Sequence, residues 1–365
     1  MTKPRVTIIT LVYNGLPYLK DAIESALVQT HSEFEYLIVD DASPDEGVRK
    51  CIESYRDPRI RFIKNEENLG TAASFNKALS MVDSTYVVRL DQDDVNLPLR
   101  VEKQIDYLEK NPDISIACSW EYTIDSEGKR SREWKKEIRD YGEFIGPVLL
   151  GLCPIWHPSI AFRRADFVDA GGFDAAYFGA EDFEVTARLA LERLNAAVVP
   201  EFLLLQRQHD TSQSIQLGSK MTEVNHRIHG EAVSRFMDVD DAAKLSSFLR
   251  LEKGEPSSEF GKEYVVHMRE LLAQLLANVA ERQEMSKSEM SSLKKVVYRR
   301  LGLGVYCVPV YRWLPGVVFM PVFFVLSPLF SVVLHKLLSR ANKAFHEVRY
   351  RVKGLNWFSS SVFIN

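Results

Sequence analysis

Apolar, β-branched runs alternate with stretches of helical spacing along the N-terminal part of the chain, and this alternation restricts the fold more than any other feature. Val6–Val12 reads as a strand that ends in the turn Tyr13-Asn14-Gly15, and Leu19, Ile23, Ala26 and Leu27 follow at helical spacing. Phe34–Val39 repeats the pattern, closed by Asp40-Asp41-Ala42-Ser43-Pro44, with a helix expected to about Tyr55. A short strand Ile60–Ile63, a helix over Thr71–Met81 and a strand Tyr86–Leu90 complete the series. Strands that are apolar throughout are buried on both faces, and strand–helix–strand order places them in a parallel sheet covered by helices. Ligands of such sheets sit beyond the carboxyl ends of the strands. Asp40-Asp41 and Asp91-Gln92-Asp93-Asp94 fall at two such ends.

Beyond Ile114 the pattern becomes mixed strands and loops to Gln206, and residues 231–293 read as polar, amphipathic helices carrying His267, Leu271, Leu272, Leu275 and Leu276. Gly302–Leu334 is almost wholly apolar, with Arg312 its only formal charge. The expected organisation is an α/β domain at 1–230, a helical extension at 231–293 and a basic, apolar tail at 294–365. The tail holds 11 Lys and Arg against Glu347 alone, so a net charge of −4 overall divides into +10 there and −14 on the first 293 residues. An acidic body is a poor surface for nucleic acid, whereas a basic, apolar terminus is suited to a membrane surface. Gly316–Leu334 is free of formal charge but broken by Pro321 and Pro328, with basic residues on both sides. That arrangement favours lying at the interface over spanning it, the alternative being a hairpin packed on the body. Val6–Val12 is too short for the apolar core of a signal peptide, so a cytoplasmic protein attached peripherally to the inner face of the membrane is expected. Cys51, Cys118, Cys153 and Cys307 form no CxxC pair, which argues against a zinc site.

Several clusters have the composition of working groups. Asp91, Asp93 and Asp94 put three carboxylates in four residues with no cation among them. Such a cluster is tolerated at the start of a helix near Leu99, or where it holds a hard divalent ion through oxygen. Asp40-Asp41 suits a helix cap or Asx turn, and equally an acceptor for a base N–H or a ribose hydroxyl. Gly171-Gly172-Phe173-Asp174, followed by Glu181-Asp182-Phe183-Glu184, sets acids at the start of a helix. They are either solvated first-turn charges or include a general base in a cleft. His209 after Arg207-Gln208 is a candidate imidazole ligand, with Arg207 suited to phosphate; His157 beside Pro158-Ser159 is as open, since a lone histidine is more often structural.

Taken in order, these pieces resemble the family-2 glycosyltransferases, which have the GT-A, Rossmann-like α/β fold of nucleotide-diphospho-sugar transferases. Val6-Thr7-Ile8-Ile9 through Tyr13-Asn14 is similar to that family's first strand and turn, and Val39-Asp40-Asp41-Ala42-Ser43 to its VDDGS motif, with Ala42 in place of glycine. Asn68-Leu69-Gly70 through Asn76 resembles its NxGxxxARNxG stretch, but Phe75 stands where arginine is common and Ala78 where glycine is. Leu90-Asp91-Gln92-Asp93-Asp94 resembles the LDxDD form of the metal-binding DxD motif; His157-Pro158-Ser159, Gly171-Gly172-Phe173-Asp174, Glu181-Asp182 and Arg207-Gln208-His209 resemble its later elements. The resemblance covers residues 4–215.

It implies inverting transfer of a sugar from a nucleoside-diphosphate sugar, with Asp182 as general base and Asp93 with His209 holding Mg2+ or Mn2+. Asp41 would accept from the base N3–H, Asp40 or Asp91 would lie near the ribose, and Asn68 and Arg207 would serve the donor. His157 and Glu181 would lie on the acceptor side. An acceptor for N3–H favours a UDP-sugar. The QxxRW signature of processive synthases is missing around Arg312-Trp313, which favours one sugar per encounter. The expected partners are the donor, a saccharide or lipid-linked acceptor of cell-surface polysaccharide assembly, and a membrane surface, without nucleic acid. A nucleotidylyltransferase of similar fold would want a glycine-rich, basic loop after the first strand, which Tyr13-Asn14-Gly15-Leu16-Pro17 is not; an inactive sugar-nucleotide binder is disfavoured by the retention of Asp93 and Asp182.

Overall fold

The computed structural model describes residues 4–210, 212–251 and 262–300. The first units are β1 (Val6–Val12), α1 (Leu16–Leu27), β2 (Phe34–Asp40), α2 (Gly47–Ser54), β3 (Ile60–Lys64), α3 (Thr71–Ser80) and β4 (Tyr86–Arg89), as the alternation predicts to within a residue or two. They are followed by β5 (Val95–Asn96), α4 (Arg100–Lys110), β6 (Ile114–Ile124), β7 (Arg130–Trp134) and α5 (Tyr141–Val148). Then come β8 (Ala161–Arg163), α6 (Arg164–Asp169), α7 (Glu181–Leu191) and β9 (Asn195–Arg207). Four helices close the described chain: α8 (Gln213–Ser234), α9 (Val239–Leu251), α10 (Lys262–Arg282) and α11 (Lys287–Arg300).

The strands form one mixed sheet in the order β3-β2-β1-β4-β8-β6-β9-β5, with β7 paired to β6. β3, β2, β1 and β4 are mutually parallel, so the residues that follow them emerge along one edge. Successive side chains of a strand alternate between faces. Ile9, Leu37 and Val39 therefore enter the core beneath α3, α5 and α7, while Val6, Ile8, Val12, Tyr36 and Ile38 enter the one beneath α1, α2 and α4. Leu272, Leu275 and Leu276 of α10, with Leu293 and Val297 of α11, bury into the first of these cores. The close approach of α11 to α5 requires glycine: a Cβ at Gly142 would lie 2.0 Å from the Glu289 carbonyl oxygen. Among the described residues no helix is long and apolar enough to cross a membrane. The apolar stretch Gly302–Leu334, expected to seek a membrane, lies outside them.

A buried arginine ties the sheet together behind the strand ends. Arg100, fully buried at the start of α4, donates to Gln104 Oε1 (3.0 Å), to Asn96 Oδ1, and to the carbonyls of Arg89 (2.8 Å), Pro158 (3.0 Å) and Ile160 (3.3 Å). Burial pushes its pKa down to about 10, so it remains a cation at neutral pH. It thereby joins the end of β4, β5, the 3-10 turn His157–Ser159 and β8. The first turn of α4 contains Glu102 and none of Asp91, Asp93 or Asp94, so those three acids are not helix-start charges.

Candidate active site

The turns after β1 and β2 interlock. Asn14 N donates to Ser43 Oγ (3.0 Å), and Asp40 Oδ1 accepts from Ser43 N (2.8 Å) in an Asx turn. Between them Ala42 sits at φ +61°, a left-handed conformation that costs a side-chain-bearing residue about 1 kcal/mol. Glycine at this place in the VDDGS motif avoids that cost. Asp40 is fully buried, its Oδ2 3.6 Å from Lys64 Nζ. Asp41, also buried, takes three donors on Oδ1: Asn65 Nδ2 (2.8 Å), Leu69 N (3.0 Å) and Ser74 Oγ (2.6 Å). Oδ2 takes Gly70 N (2.9 Å), leaving an acceptor site on that oxygen. Asn68 Oδ1 also accepts from Gly70 N (3.1 Å), at the φ +80° that admits glycine there. The Asn68-Leu69-Gly70 loop is thus folded around the Asp41 carboxylate.

Gln92 carries these contacts to the next strand end. Its side chain accepts from Tyr13 N (2.8 Å) and donates to Tyr13 O (3.2 Å). Asp91–Asp94 is a tight turn closed by Asp94 N to Asp91 O (3.2 Å). Asp94 Oδ1 accepts from Arg207 N (2.8 Å) at the end of β9, and Asp93 Oδ2 lies 2.9 Å from His209 Nε2. Burial and the neighbouring Asp91 carboxylate raise the pKa of Asp93; burial, Asp93 and Asp91 raise that of Asp94 well above the usual range. Asp91 is paired with Arg89, so the crowded carboxylate that no Lys or Arg pairs with directly is Asp93, and an oxygen ligand of this kind is suited to a divalent ion. Asp93 and His209 supply an oxygen and a nitrogen converging on one point. Among the described residues no group of three His, Cys, Asp or Glu converges, so an ion here would complete its shell with ligand oxygens and water.

Arg207, read as a phosphate contact, has a different occupation. Its side chain is 4% exposed and donates to Asp93 O (2.9 Å), to the carbonyls of Asp125 and Ser126 (3.3 Å each) and to Asp21 Oδ2 (2.7 Å), with the Tyr18 ring 4.6 Å away. A guanidinium so engaged braces the Asp91–Asp94 turn and is not available to a phosphate.

On the far side of the turn stands a cation that sequence reasoning missed. Arg89 Nε donates to Asp91 Oδ1 (2.7 Å), its Cζ lies 5.7 Å from the Phe75 ring centre, and its buried Nη1 has no hydrogen-bond partner. Burial alone would lower its pKa, but Asp91, Glu181 and Asp182 more than restore it. Asp182, at the start of α7, is close enough to feel the charge of this guanidinium. Burial raises its pKa, the Phe183 N–H bond (2.7 Å) opposes the rise, Glu181 adds to it and Arg89 counters it. Glu181 Oε2 accepts from Gly179 N (2.6 Å), fixing the turn before α7. His157, packed edge-on against Phe173 at 5.2 Å, is held neutral by burial and by Arg89, its pKa well below the usual histidine value. Arginine at position 75 is absent, yet a guanidinium reaches the Phe75 ring from β4; the charged residue just before Leu90-Asp91 was the available signal. Glu121 was also missed: burial on β6 pushes its pKa up to about 8.

The comparisons with known proteins bear on this arrangement. The profile described as "Glycosyl transferase family 2" matches residues 7–172. An uncharacterized glycosyltransferase of Methanocaldococcus jannaschii is 35% identical over 210 residues, 57% of this chain and 72% of that protein. The chain belongs to glycosyl transferase family 2. Within Bacillus subtilis, the putative glycosyltransferase EpsE is 30% identical to this family member over 47% of the chain and 60% of EpsE. The putative teichuronic acid biosynthesis glycosyltransferase TuaG is 37% identical over 33% of the chain and 46% of TuaG. Among solved structures, residues 1–349 of S. aureus TarS in complex with UDP-GlcNAc align with a TM-score of 0.54 at 16% identity, covering 81% and 92% of the two chains. That likeness is one of fold, and the mixed sheet described above is the GT-A-like fold of the glycosyltransferase.

Proposed function

We propose that this family-2 glycosyltransferase transfers a sugar from a nucleoside-diphosphate donor, a UDP-sugar by preference, to a saccharide acceptor in polysaccharide assembly, with inversion at the anomeric carbon. The observation that carries the reading is the series of hydrogen bonds along one sheet edge, extended by the charge of Arg89. It runs from Asp40, beside Asp41, and Ser43 through Asn14, Tyr13 and Gln92 to Asp91 and its partner Arg89, whose charge acts on Asp182. The open acceptor site on Asp41 Oδ2 is suited to a pyrimidine N3–H, and TarS, of like fold, is described in complex with UDP-GlcNAc. Asp93 and His209 would hold Mg2+ or Mn2+, which when bound offsets negative charge on the donor diphosphate. Asp182 takes the proton of the acceptor hydroxyl as that oxygen bonds to the anomeric carbon and the bond to the diphosphate breaks. One displacement from the opposite face inverts the centre. TuaG is named for teichuronic acid biosynthesis, which supports a polysaccharide product. The charge and apolarity of residues 294–365 support attachment to a membrane surface and a lipid-linked acceptor.

The test is product analysis across a panel of nucleotide sugars with Mn2+ or Mg2+ and a membrane extract. Release of a nucleoside diphosphate with an inverted linkage is expected; release of pyrophosphate would assign a nucleotidylyltransferase instead.

The position of Arg89 sets a pH dependence. Its charge favours the ionised form of Asp182, so Arg89→Met should raise the Asp182 pKa further. The acid limb of kcat/KM then moves to higher pH, and Arg89→Lys restores most of the shift. An unmoved acid limb in Arg89→Met would detach Arg89 from the base.

A further inference from the structure

The chain from Lys129 to Lys136 reads Lys-Arg-Ser-Arg-Glu-Trp-Lys-Lys, five basic residues and one acid on a body whose net charge is negative. Most of it is β7, four of whose five residues are exposed. Glu133 pairs with Lys135 (2.8 Å), while Lys129, Arg130, Arg132 and Lys136 have no carboxylate within salt-bridge distance among the described residues. Lysine and arginine on an outlying strand discourage edge-to-edge pairing, and that alone would account for the charge. It does not account for the rings beneath it. Arg130 lies 4.3 Å from the Tyr122 ring, Arg132 3.8 Å from Trp134, and Lys136 4.5 Å from Trp156; Trp134 and Trp156 are themselves 4.8 Å apart. Half-buried aromatic faces alternating with unpaired cations offer apolar faces to sugar rings and charge to their anionic substituents.

The location matters as much as the composition. At one end of the hairpin, Asp125 and Ser126 accept from Arg207, which also grips Asp93 O. At the other, Lys136 Nζ donates to Cys153 O (3.0 Å) and Pro154 O (3.3 Å). Cys153 Sγ lies 3.8 Å from Thr186 Oγ1, which donates to Asp182 O (2.7 Å). β7 thus extends from the Asp93 turn to the helix that carries Asp182. Past β7, Lys136 also borders a cavity of about 340 Å³ of mixed charge, where Arg139 is paired with Glu137 and Glu143 and Lys295 and Arg299 add basic groups.

We propose that β7 binds the acceptor, and that the acceptor is a polyanionic saccharide. Its phosphate or carboxylate groups meet Lys129, Arg130 and Arg132, and its sugar faces meet Trp134 and Trp156. The assignment rests on the glycosyltransferase reading with Asp182 as base.

The experiment uses the full chain, with polygalacturonate as the polyanionic probe and dextran as the neutral one. Polygalacturonate should bind and dextran should not, with affinity falling as salt rises from about 50 mM to about 300 mM, because exposed ion pairs are screened. The triple variant Lys129→Glu, Arg130→Glu, Arg132→Glu should lose about tenfold or more in affinity while keeping acceptor-free release of UDP from a UDP-sugar. The milder pair Arg130→Gln, Arg132→Gln, with an unchanged thermal transition, guards against misfolding and should show a smaller loss. Trp134→Ala should weaken binding at every salt concentration. Equal binding of dextran, or undiminished polygalacturonate binding by the charge-reversed protein, overturns the proposal. So does binding that appears only with anionic phospholipid vesicles. If neither protein releases UDP, it is the glycosyltransferase reading that fails, and the binding arm still decides what β7 recognises.

Discussion

Asp182→Asn is expected to lower transfer by about 10²–10⁴-fold, the usual contribution of a positioned general base, while leaving UDP affinity within error of the parent. The substitution is close to isosteric, and the amide oxygen can still accept from Phe183 N as Asp182 Oδ1 does (2.7 Å), so the start of α7 should keep its shape. What is lost is the capacity to take a proton. The nucleotide side of the site, Asp41 with Asn65, Leu69, Gly70 and Ser74, forms its hydrogen bonds within itself and none with Asp182, so donor binding is insulated from the change. The measurements are acceptor-dependent UDP release and a separate UDP titration. Transfer within about threefold of the parent would remove Asp182 from the chemistry. Loss of UDP affinity together with transfer would instead make it part of the scaffold.

Much of this was legible because strands and their ends obey strong rules. Continuous apolar, β-branched runs closed by turn residues predict β1, β2, β3 and β4 to within a residue or two, and parallel order then puts Asp40, Asp41 and Asp91 on one edge without any knowledge of contacts. What the sequence did not reveal depends on which partners the remote chain supplies. Arg207 looks like a phosphate ligand from its neighbours alone, yet Asp21, Asp93, Asp125 and Ser126, brought together by tertiary folding, occupy its donors. The two-residue β5 escapes any periodicity test, although its pairing with β9 helps set Arg207 opposite Asp94. Arg89 was hidden for the opposite reason. It ends an apolar strand and resembles a boundary residue, and only the folded structure shows its guanidinium on Asp91, within electrostatic reach of Glu181 and Asp182. The alternation of Tyr122, Trp134 and Trp156 with basic residues likewise draws on three separate segments, of which only Trp134 lies within the basic run.

Asp93→Ala should remove the dependence of donor binding on divalent ion and lower transfer by about 10²–10³-fold, the scale seen when one preorganised group opposite developing charge is lost. Asp93 and His209 are 2.9 Å apart across their side-chain polar atoms, and both are partly buried, so neither is readily replaced by solvent in fixing an ion. Asp94 is a poor substitute: its Oδ1 already accepts from Arg207 N, and its burial opposes ionisation. The change should spare the fold, because the Arg207 bond to this residue goes to the backbone carbonyl of Asp93 and survives truncation of the side chain. Calorimetric titration of UDP with Mn2+, and again with EDTA, is the direct measurement. The parent should bind more tightly with the ion, and the variant should show one weak affinity in both buffers. A parent indifferent to EDTA, or an Asp93→Ala protein whose UDP affinity still rises with Mn2+, would leave the Asp93–His209 pair as a structural contact.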